Sequence, residues 1–385
     1  MHALHTEFPI TGSQLYLDSA FQTPLPARVR AQLAAFYDAA HATAGPKSLW
    51  LARMADVRDL VARLFAITPS EIAFTKNTSE GLNIASHAVP WKAGDNVLLA
   101  AGEHPNNVCA WLNLRSKGLD VRLVPSTGKW IDACTFEPYV DRRTRAISVS
   151  HVSFHSGQRN DLESISALCR DRGAMLIVDA TQSAGVLPLD VASLQIAMLA
   201  AGCHKGLLAT HGLGVFACDR RFHDLQPTYA AYASLADPPA DLVLGPKDVN
   251  FHADARRFEI GNPNFSGIYT LGASLELVLG VGVETIADHV LGLGDRLIAR
   301  LDELGIELVG PRERARRSHI YVLDLPGDGW LAFLAQQGVR VSQVRSGIRV
   351  SFALFNVPED VDRLAEILRR GLHCVTPKRV LGRVN

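Results

Sequence analysis

The chain has 385 residues, 48% of them hydrophobic, and carries 39 Lys plus Arg against 39 Asp plus Glu. This is enough apolar material for a sizeable core and two lobes, and nothing in so even a balance points to nucleic acid or an anionic membrane surface. No apolar run reaches the roughly 18–20 residues of a membrane span, the N-terminal MHALHTEFPITG lacks the basic-then-apolar order of a secretory signal, and the six cysteines show no C-x-x-C pair, so scattered reduced thiols in a cytoplasmic protein are expected, without a disulfide framework or a metal site.

In chain order, a helical pattern at about 26–44 follows the TPLP turn. From about 70 to 220, short apolar runs read as strands: EIAFT (71–75), NVLLAA (96–101), DVRLVP (120–125), AISVS (146–150), MLIVDA (175–180), IAMLAA (196–201) and LGVFAC (213–218). Helix-like stretches lie between several of them: SEGLNIASHAV, NNVCAWLNLRSKG and DLESISALCRDRG, the last starting at an Asp cap and ending at a Gly. Near-continuous apolar strands alternating with helices predict a mostly parallel seven-stranded sheet covered on both faces. After FEIGNPNFSG (258–267) come long helical runs to about 305. Shorter strands (HIYVLDL, VRVS, IRVSF) and a final helix, PEDVDRLAEILRRGL, complete a smaller α+β lobe. The reading is α/β, with a large domain over 26–265, a small C-terminal domain over 266–385, and residues 1–25 joining the small domain. The basic RERARR (Arg312–Arg317) and the tail PKRVLGRVN read as solvated segments. HVSFH (His151, His155) reads as strand running into loop rather than a metal pair.

Ligands in parallel sheets bind at the carboxyl ends of strands, and three motifs fall there. TKNTSEG opens a helix whose N-terminal amides, with the Thr78 and Ser79 hydroxyls, suit a phosphate; a plain helix cap is the alternative. VDATQ places Asp179 at the end of an apolar strand, with Gln182 shortly after. In GCHKGL, Lys205 follows the next strand; taken singly it reads as an ordinary loop lysine, although a buried amine there can form a Schiff base with a carbonyl. Together they supply a phosphate cradle, an anion for a pyridinium nitrogen and a Schiff-base amine, the groups that pyridoxal phosphate requires.

Over nearly its whole length the sequence resembles the class V aminotransferase family of fold-type I pyridoxal-phosphate enzymes, which includes cysteine desulfurases, selenocysteine lyases, kynureninase and isopenicillin-N-epimerase-like proteins. The ordered motifs are YLDSAFQTPLP, EIAFTKNTSEGLN, GEHPNN, VSHVSFHSGQRNDLESI, LIVDATQSAGVLPLDV, CHKGLLATHGLGVF, FEIGNPN and IRVSFALFNVPEDVDRLAEIL. The resemblance implies that Lys205 holds pyridoxal 5'-phosphate and moves protons, Asp179 pairs with the pyridine nitrogen, and Gln182 hydrogen-bonds the phenolic oxygen. It implies also that His104 stacks on the ring and helps proton transfer, that Thr78, Ser79 and His204 hold the phosphate, and that Arg349 clamps the substrate α-carboxylate. Asn262 matches a position that reaches the neighbouring subunit's phosphate, so a homodimer with shared sites is expected.

Three positions depart from the family pattern. Gly202 stands where desulfurases often have Ser, and Phe154 where several relatives have Asn. The stretch GVRVSQVRSGIRVSF is short and holds no cysteine, where desulfurases carry a catalytic one. Cys374 does not match it, and Cys203 reads as a packing residue. The expected activity is on an amino acid, through a Schiff base and α-proton abstraction, by β-elimination of the C–S lyase kind. Transamination and epimerisation are the alternatives within the family. A non-catalytic binding protein is a third, and a nicotinamide oxidoreductase is disfavoured because GVGVET (Gly280–Thr285) stops short of G-x-G-x-x-G. Trp50, Tyr229 and Tyr232 are candidates for the side-chain pocket or for dimer packing.

Overall fold

The computed structural model describes residues 2–126, 131–241, 243 and 245–375, so the segment PKRVLGRVN lies outside the described residues. In chain order the regular elements begin with β1 (Leu15–Tyr16), α1 (Ala27–Thr43), α2 (Lys47–Leu64), β2 (Ile72–Thr75) and α3 (Thr78–Ala88). They continue through β3 (Asn96–Ala100), α4 (Pro105–Leu112), β4 (Asp120–Val124), α5 (Ala133–Phe136), β5 (Thr144–Ser150), α6 (Leu162–Arg172), β6 (Met175–Asp179), β7 (Met198–Gly202) and β8 (Gly214–Cys218). The remaining elements are α7 (Phe265–Val281), α8 (Val283–Leu304), β9 (Glu307–Val309), β10 (Ile320–Asp324), α9 (Trp330–Gln336), β11 (Val339–Arg340), β12 (Ser342–Val344), β13 (Gly347–Ser351) and α10 (Pro358–Cys374).

The chain divides into two compact units. The larger, residues 28–152 and 160–280, is built on a seven-stranded sheet of order β2-β8-β7-β6-β5-β3-β4. Only β8 runs against its neighbours, β2 and β7; the other pairings are parallel. Strand alternation sends successive residues to opposite faces. Phe74, Leu98, Ile147, Val178 and Leu199 pack with Val57 and Val61 of α2, Ile165 of α6 and Ile268 and Leu271 of α7. Ala73, Val97, Ile177, Met198 and Phe216 pack on the opposite face with Leu82 of α3 and Ala110 and Trp111 of α4. Both faces are therefore dry, which is why these strands read as unbroken apolar runs.

The smaller unit gathers residues up to 27, 153–159 and from 281 on. Its four-stranded sheet has the order β12-β13-β10-β9 and is antiparallel throughout. Beside it, β1 pairs in parallel with β11. On α10, Leu364 and Leu368 are fully buried, as are Leu297 and Leu301 on α8. Asp362 ties the polar faces of these helices by accepting from Arg296 and Arg300.

Three sequence readings differ from this arrangement. The division at 265/266 assigns α7 to the small lobe, but Phe265, Ile268, Leu271 and Leu275 lie in the apolar layer under the large sheet, and the division falls at 280/281. Residues 153–159 group with the smaller unit, where Ser318 Oγ donates to Gly157 O and Arg159 N to Arg316 O. RERARR is solvated over 312–315, where Arg312 pairs with Asp302 and Arg314 with Asp288 and Asp295 at the surface, but Arg317 departs from that reading: it is buried and pairs with Asp295. Trp50, half-buried, packs on Phe36 and Phe265 at the edge of the larger unit's apolar layer, with ring centroids 4.7 and 5.4 Å apart. No single helix among the described residues is long and apolar enough to cross a membrane.

Ile177, fully buried at the centre of β6, tests the core. Ile177→Ala is expected to destabilise the larger unit by about 2–5 kcal/mol, read from the shift in its denaturant unfolding midpoint.

Candidate active site

The carboxyl ends of β2, β6 and β7 build the site within the larger unit. β6 and β7 are parallel neighbours, with Asp179 opposite Ala200. β6 stops at Asp179, a buried carboxylate whose Oδ1 accepts from Thr181 N at 2.9 Å, and whose own carbonyl accepts from His151 N. β7 runs on to Gly202 and turns through Cys203 and His204 to Lys205. That turn is closed by backbone bonds from Leu208 N to Lys205 O and from Ala209 N to Cys203 O. It lies directly against the segment after β6: a Cβ at Gly206 would stand 2.4 Å from Ala184 O. Only glycine allows this approach, which holds the lysine turn against the Asp179–Gln182 segment.

The opening of α3 completes the group. Asn77 caps the helix, its side chain accepting from Glu80 N at 2.9 Å, so the capping role does not fall to Thr78 or Ser79. Thr78 instead shares a 2.8 Å hydrogen bond with Thr181 across the sheet end. A Cβ at Gly202 would sit 3.0 Å from Thr78 Oγ1 and 3.2 Å from the His204 ring. Thr78, Gly202 and His204 therefore face one small space at a helix N-terminus, whose first amides have no partner within the helix.

Electrostatics place the remaining groups. His104 caps α4, its Nδ1 accepting from Asn106 N at 3.1 Å. Burial holds its pKa below the ordinary value; Asp179 opposes that effect and the Lys205 charge adds to it, so His104 feels both residues. Burial, reinforced by Lys205 and His211, takes His204 from 6.5 down to about 4. The His204 and His211 rings stack with centroids 4.4 Å apart. Both site histidines are thus neutral at ordinary pH, suited to donating or covering rather than to ion pairing. Lys205 is half-buried and Gln182 buried beside the group.

Three further predicted residues stand on other segments of the chain. Asn262 is exposed, accepts from Lys47 Nζ at 3.2 Å, and lines a separate cavity of about 800 Å³ with Thr75, Lys76, Gly212 and Tyr232. Tyr229 is largely exposed. Arg349 belongs to β13 of the smaller unit, where it is buried, donates from Nη1 to Phe154 O at 3.1 Å and stands 3.6 Å from Asp18.

Sequence reasoning passed over three contributors. Thr181 links α3 to the end of β6. His211 stacks on His204, and its place in THG carried no signal. Glu103 accepts from Ser150 N at 2.7 Å, from the Ser150 hydroxyl at 2.5 Å and from Asn107 Nδ2 at 3.1 Å, and burial raises its pKa. Its position just before His104 was the available clue.

A lysine turn, a strand-end carboxylate and a small-residue cradle at a helix N-terminus, set on a doubly covered α/β sheet, fit pyridoxal phosphate: the cradle suits its phosphate, Asp179 its ring nitrogen and Lys205 its aldehyde. The sequence model of the class V aminotransferases matches residues 15–364, and the chain belongs to that family. It is an enzyme, and pyridoxal phosphate is its cofactor. The chain is 36% identical over 363 residues to an uncharacterized aminotransferase of Schizosaccharomyces pombe, covering 93% of this chain and 91% of that one. It is 32% identical to a probable cysteine desulfurase of Methanothermobacter thermautotrophicus, over 79% of this chain and 76% of the relative. The fold superposes on apo cysteine desulfurase from Thermococcus onnurineus with a TM-score of 0.88 at 24% identity, over 97% and 98% of the two chains. It also superposes on the cystine C–S lyase C-DES bound to cysteine persulfide, with a TM-score of 0.86 at 22% identity, over 94% and 99%.

Two outcomes are expected. Gly202→Val fills the space between Thr78 and His204; overpacking of about 1–3 kcal/mol corresponds to about 5- to 150-fold weaker cofactor binding, measured by titrating cofactor-free protein and following visible absorbance. His204 is depressed in the folded state, so the unfolded chain binds its proton first and stability is lost as pH falls from 6.5 toward about 4. Thermal midpoints of cofactor-free protein should drop across that window, and less steeply in His204→Gln.

Proposed function

We propose that the protein catalyses β-elimination on an amino acid bearing a sulfur substituent, acting as a C–S lyase without an enzyme persulfide. The observation that carries this reading is the pairing of an intact lysine site with a tight β12–β13 hairpin. Val344 pairs with Gly347 across Arg345 and Ser346, and no cysteine lies between β11 and the end of β13. The buried Cys203 beside the lysine has its thiol pKa pushed up by burial, which keeps it a packing residue. The names of the relatives, cysteine desulfurase and cystine C–S lyase, support sulfur-bearing substrates.

Thr78, Ser79 and His204, with the first amides of α3, hold the phosphate. Asp179, fixed by Thr181 N, keeps a negative charge where the ring nitrogen is held protonated, and Gln182 hydrogen-bonds the phenolic oxygen. His104 covers the ring face. Bound pyridoxal phosphate supplies the sink for the electron pair left at the α-carbon. Lys205 would hold the cofactor at Nζ and, as a free amine, would take the α-proton and deliver it to the departing sulfur. Arg349 binds the α-carboxylate. The C–S bond breaks with its pair on sulfur, which leaves as a thiol after taking up a proton, and one water hydrolyses the remaining enamine to keto acid and ammonia. A homodimer belongs to the same proposal, with Asn262, exposed on the rim of the 800 Å³ cavity, reaching the partner's phosphate.

Transamination has one supporting observation, the S. pombe relative's name. Mass spectrometry of products in heavy water separates the readings, using cysteine, its S-substituted derivatives, kynurenine and simple L- and D-amino acids. Keto acid, ammonia and a released sulfur species are expected. Aminated cofactor without a leaving group would make it a transaminase, and an intact amino acid deuterated at the α-carbon an epimerase. Lys205→Ala should retain the cofactor weakly, without the visible band of the lysine-bound form, and should release no sulfur.

A further inference from the structure

The smaller unit buries two opposite charges side by side. Asp18 follows β1, and its backbone is pinned on both sides: Leu17 N donates to Arg340 O, Ser351 N to Leu17 O at 2.8 Å, and Ala20 N to Ser351 Oγ at 2.9 Å. The carboxylate has nowhere to turn. Both its oxygens accept from the Ser342 hydroxyl, at 2.7 and 2.9 Å. Arg349 Nη2 stands 3.6 Å from Oδ1, and the partly exposed Arg340 brings Nε to 3.8 Å from Oδ2. On its far side Arg349 donates from Nη1 to Phe154 O, while its buried Nε has no hydrogen-bond partner. Burial disfavours both charges, raising the Asp18 pKa and lowering that of Arg349.

A pair kept only for stability would close into a bidentate fork at about 2.7–2.9 Å. This one stays open, and the guanidinium retains donors that Asp18 does not use. Two arginines face one carboxylate, so the cluster carries one net positive charge, which a single further carboxylate neutralises.

We propose that Asp18, oriented by Ser342, is a positioning residue that holds the Arg349 guanidinium in place for a monocarboxylate ligand. The inference rests on the reading of Arg349 as the carboxylate-binding group. Asp18 aims the arginine without occupying it, and its charge limits the site to one anion.

The test uses the cofactor-loaded enzyme and two amine probes that differ only in the carboxylate, L-alanine and L-alaninamide, with binding followed by the visible spectrum and folding by thermal midpoint. Asp18→Asn is expected to weaken alanine binding by at least roughly tenfold, as truncation of one partner of a buried charge pair does, and to leave alaninamide binding unchanged. Ser342→Ala, which keeps both charges, should move alanine in the same direction by less, and decides the matter if Asp18→Asn does not fold. Tighter alanine binding in Asp18→Asn would make Asp18 a competitor for the arginine and overturn the proposal. Equal weakening of both probes would reduce Asp18 to a structural role and overturn it too. Arg349→Lys is the reference: if it keeps the wild-type preference for alanine over the amide, the carboxylate reading of Arg349 has failed, and the role of Asp18 with it. If only Arg349→Lys loses that preference, the failure is confined to Asp18.

Discussion

The parallel pairing of β6 with β7, Asp179 opposite Ala200, fixes the chemistry of the larger unit. Both strands are buried on both faces, so their register is held by side chains in two apolar layers and cannot slip. Where the apolar runs end, the first polar groups are Asp179 on one strand and, in the turn beyond the other, His204 followed by Lys205. The close backbone approach at Gly206 and the Thr78–Thr181 bond then draw the lysine turn and α3 onto the same end of the sheet.

Around that end the protein manages charge by burial. His104 and His204 are kept neutral, which spares the site extra cations beside Lys205 and leaves the helix N-terminus as the main attraction for an anion. In the smaller unit the same pressure is handled by pairing: Asp18 and Arg349 are each too buried to stand alone, and each is held by neutral partners as well, Ser342 and the Phe154 carbonyl.

Much of this was legible in the sequence because it is local. Double burial makes a strand an unbroken apolar run, so the seven central strands fall within a few residues of their expected places, and a polar residue ending such a run marked Asp179 as a strand-end carboxylate. Contacts distant in sequence were not legible. Thr78 meets Thr181 across 103 residues and Asp18 meets Ser342 across 324, and neither short motif says what it will touch. The burial of Arg317 was hidden for the same reason, since RERARR shows only charge while its counter-ions lie on α8. The membership of α7 followed from which apolar layer it enters, and helical periodicity gives the face of a helix but not its neighbour.

The composition of the smaller unit bears on how the chain is born. Its first strand emerges early from the ribosome, yet β1 finds its partner only at β11, and Asp18 meets Ser351 only when the last quarter of the chain has been made. Translation at about 5–20 residues per second leaves that segment waiting for tens of seconds, while every strand of the large sheet appears between Ile72 and Cys218. The larger unit can assemble during synthesis, whereas the contacts of Asp18 with Ser342 and Arg349 wait for residues made after every strand of the large sheet. Residues 15–18, made before any strand of the large sheet, thus reach their partners after all of those strands have been made.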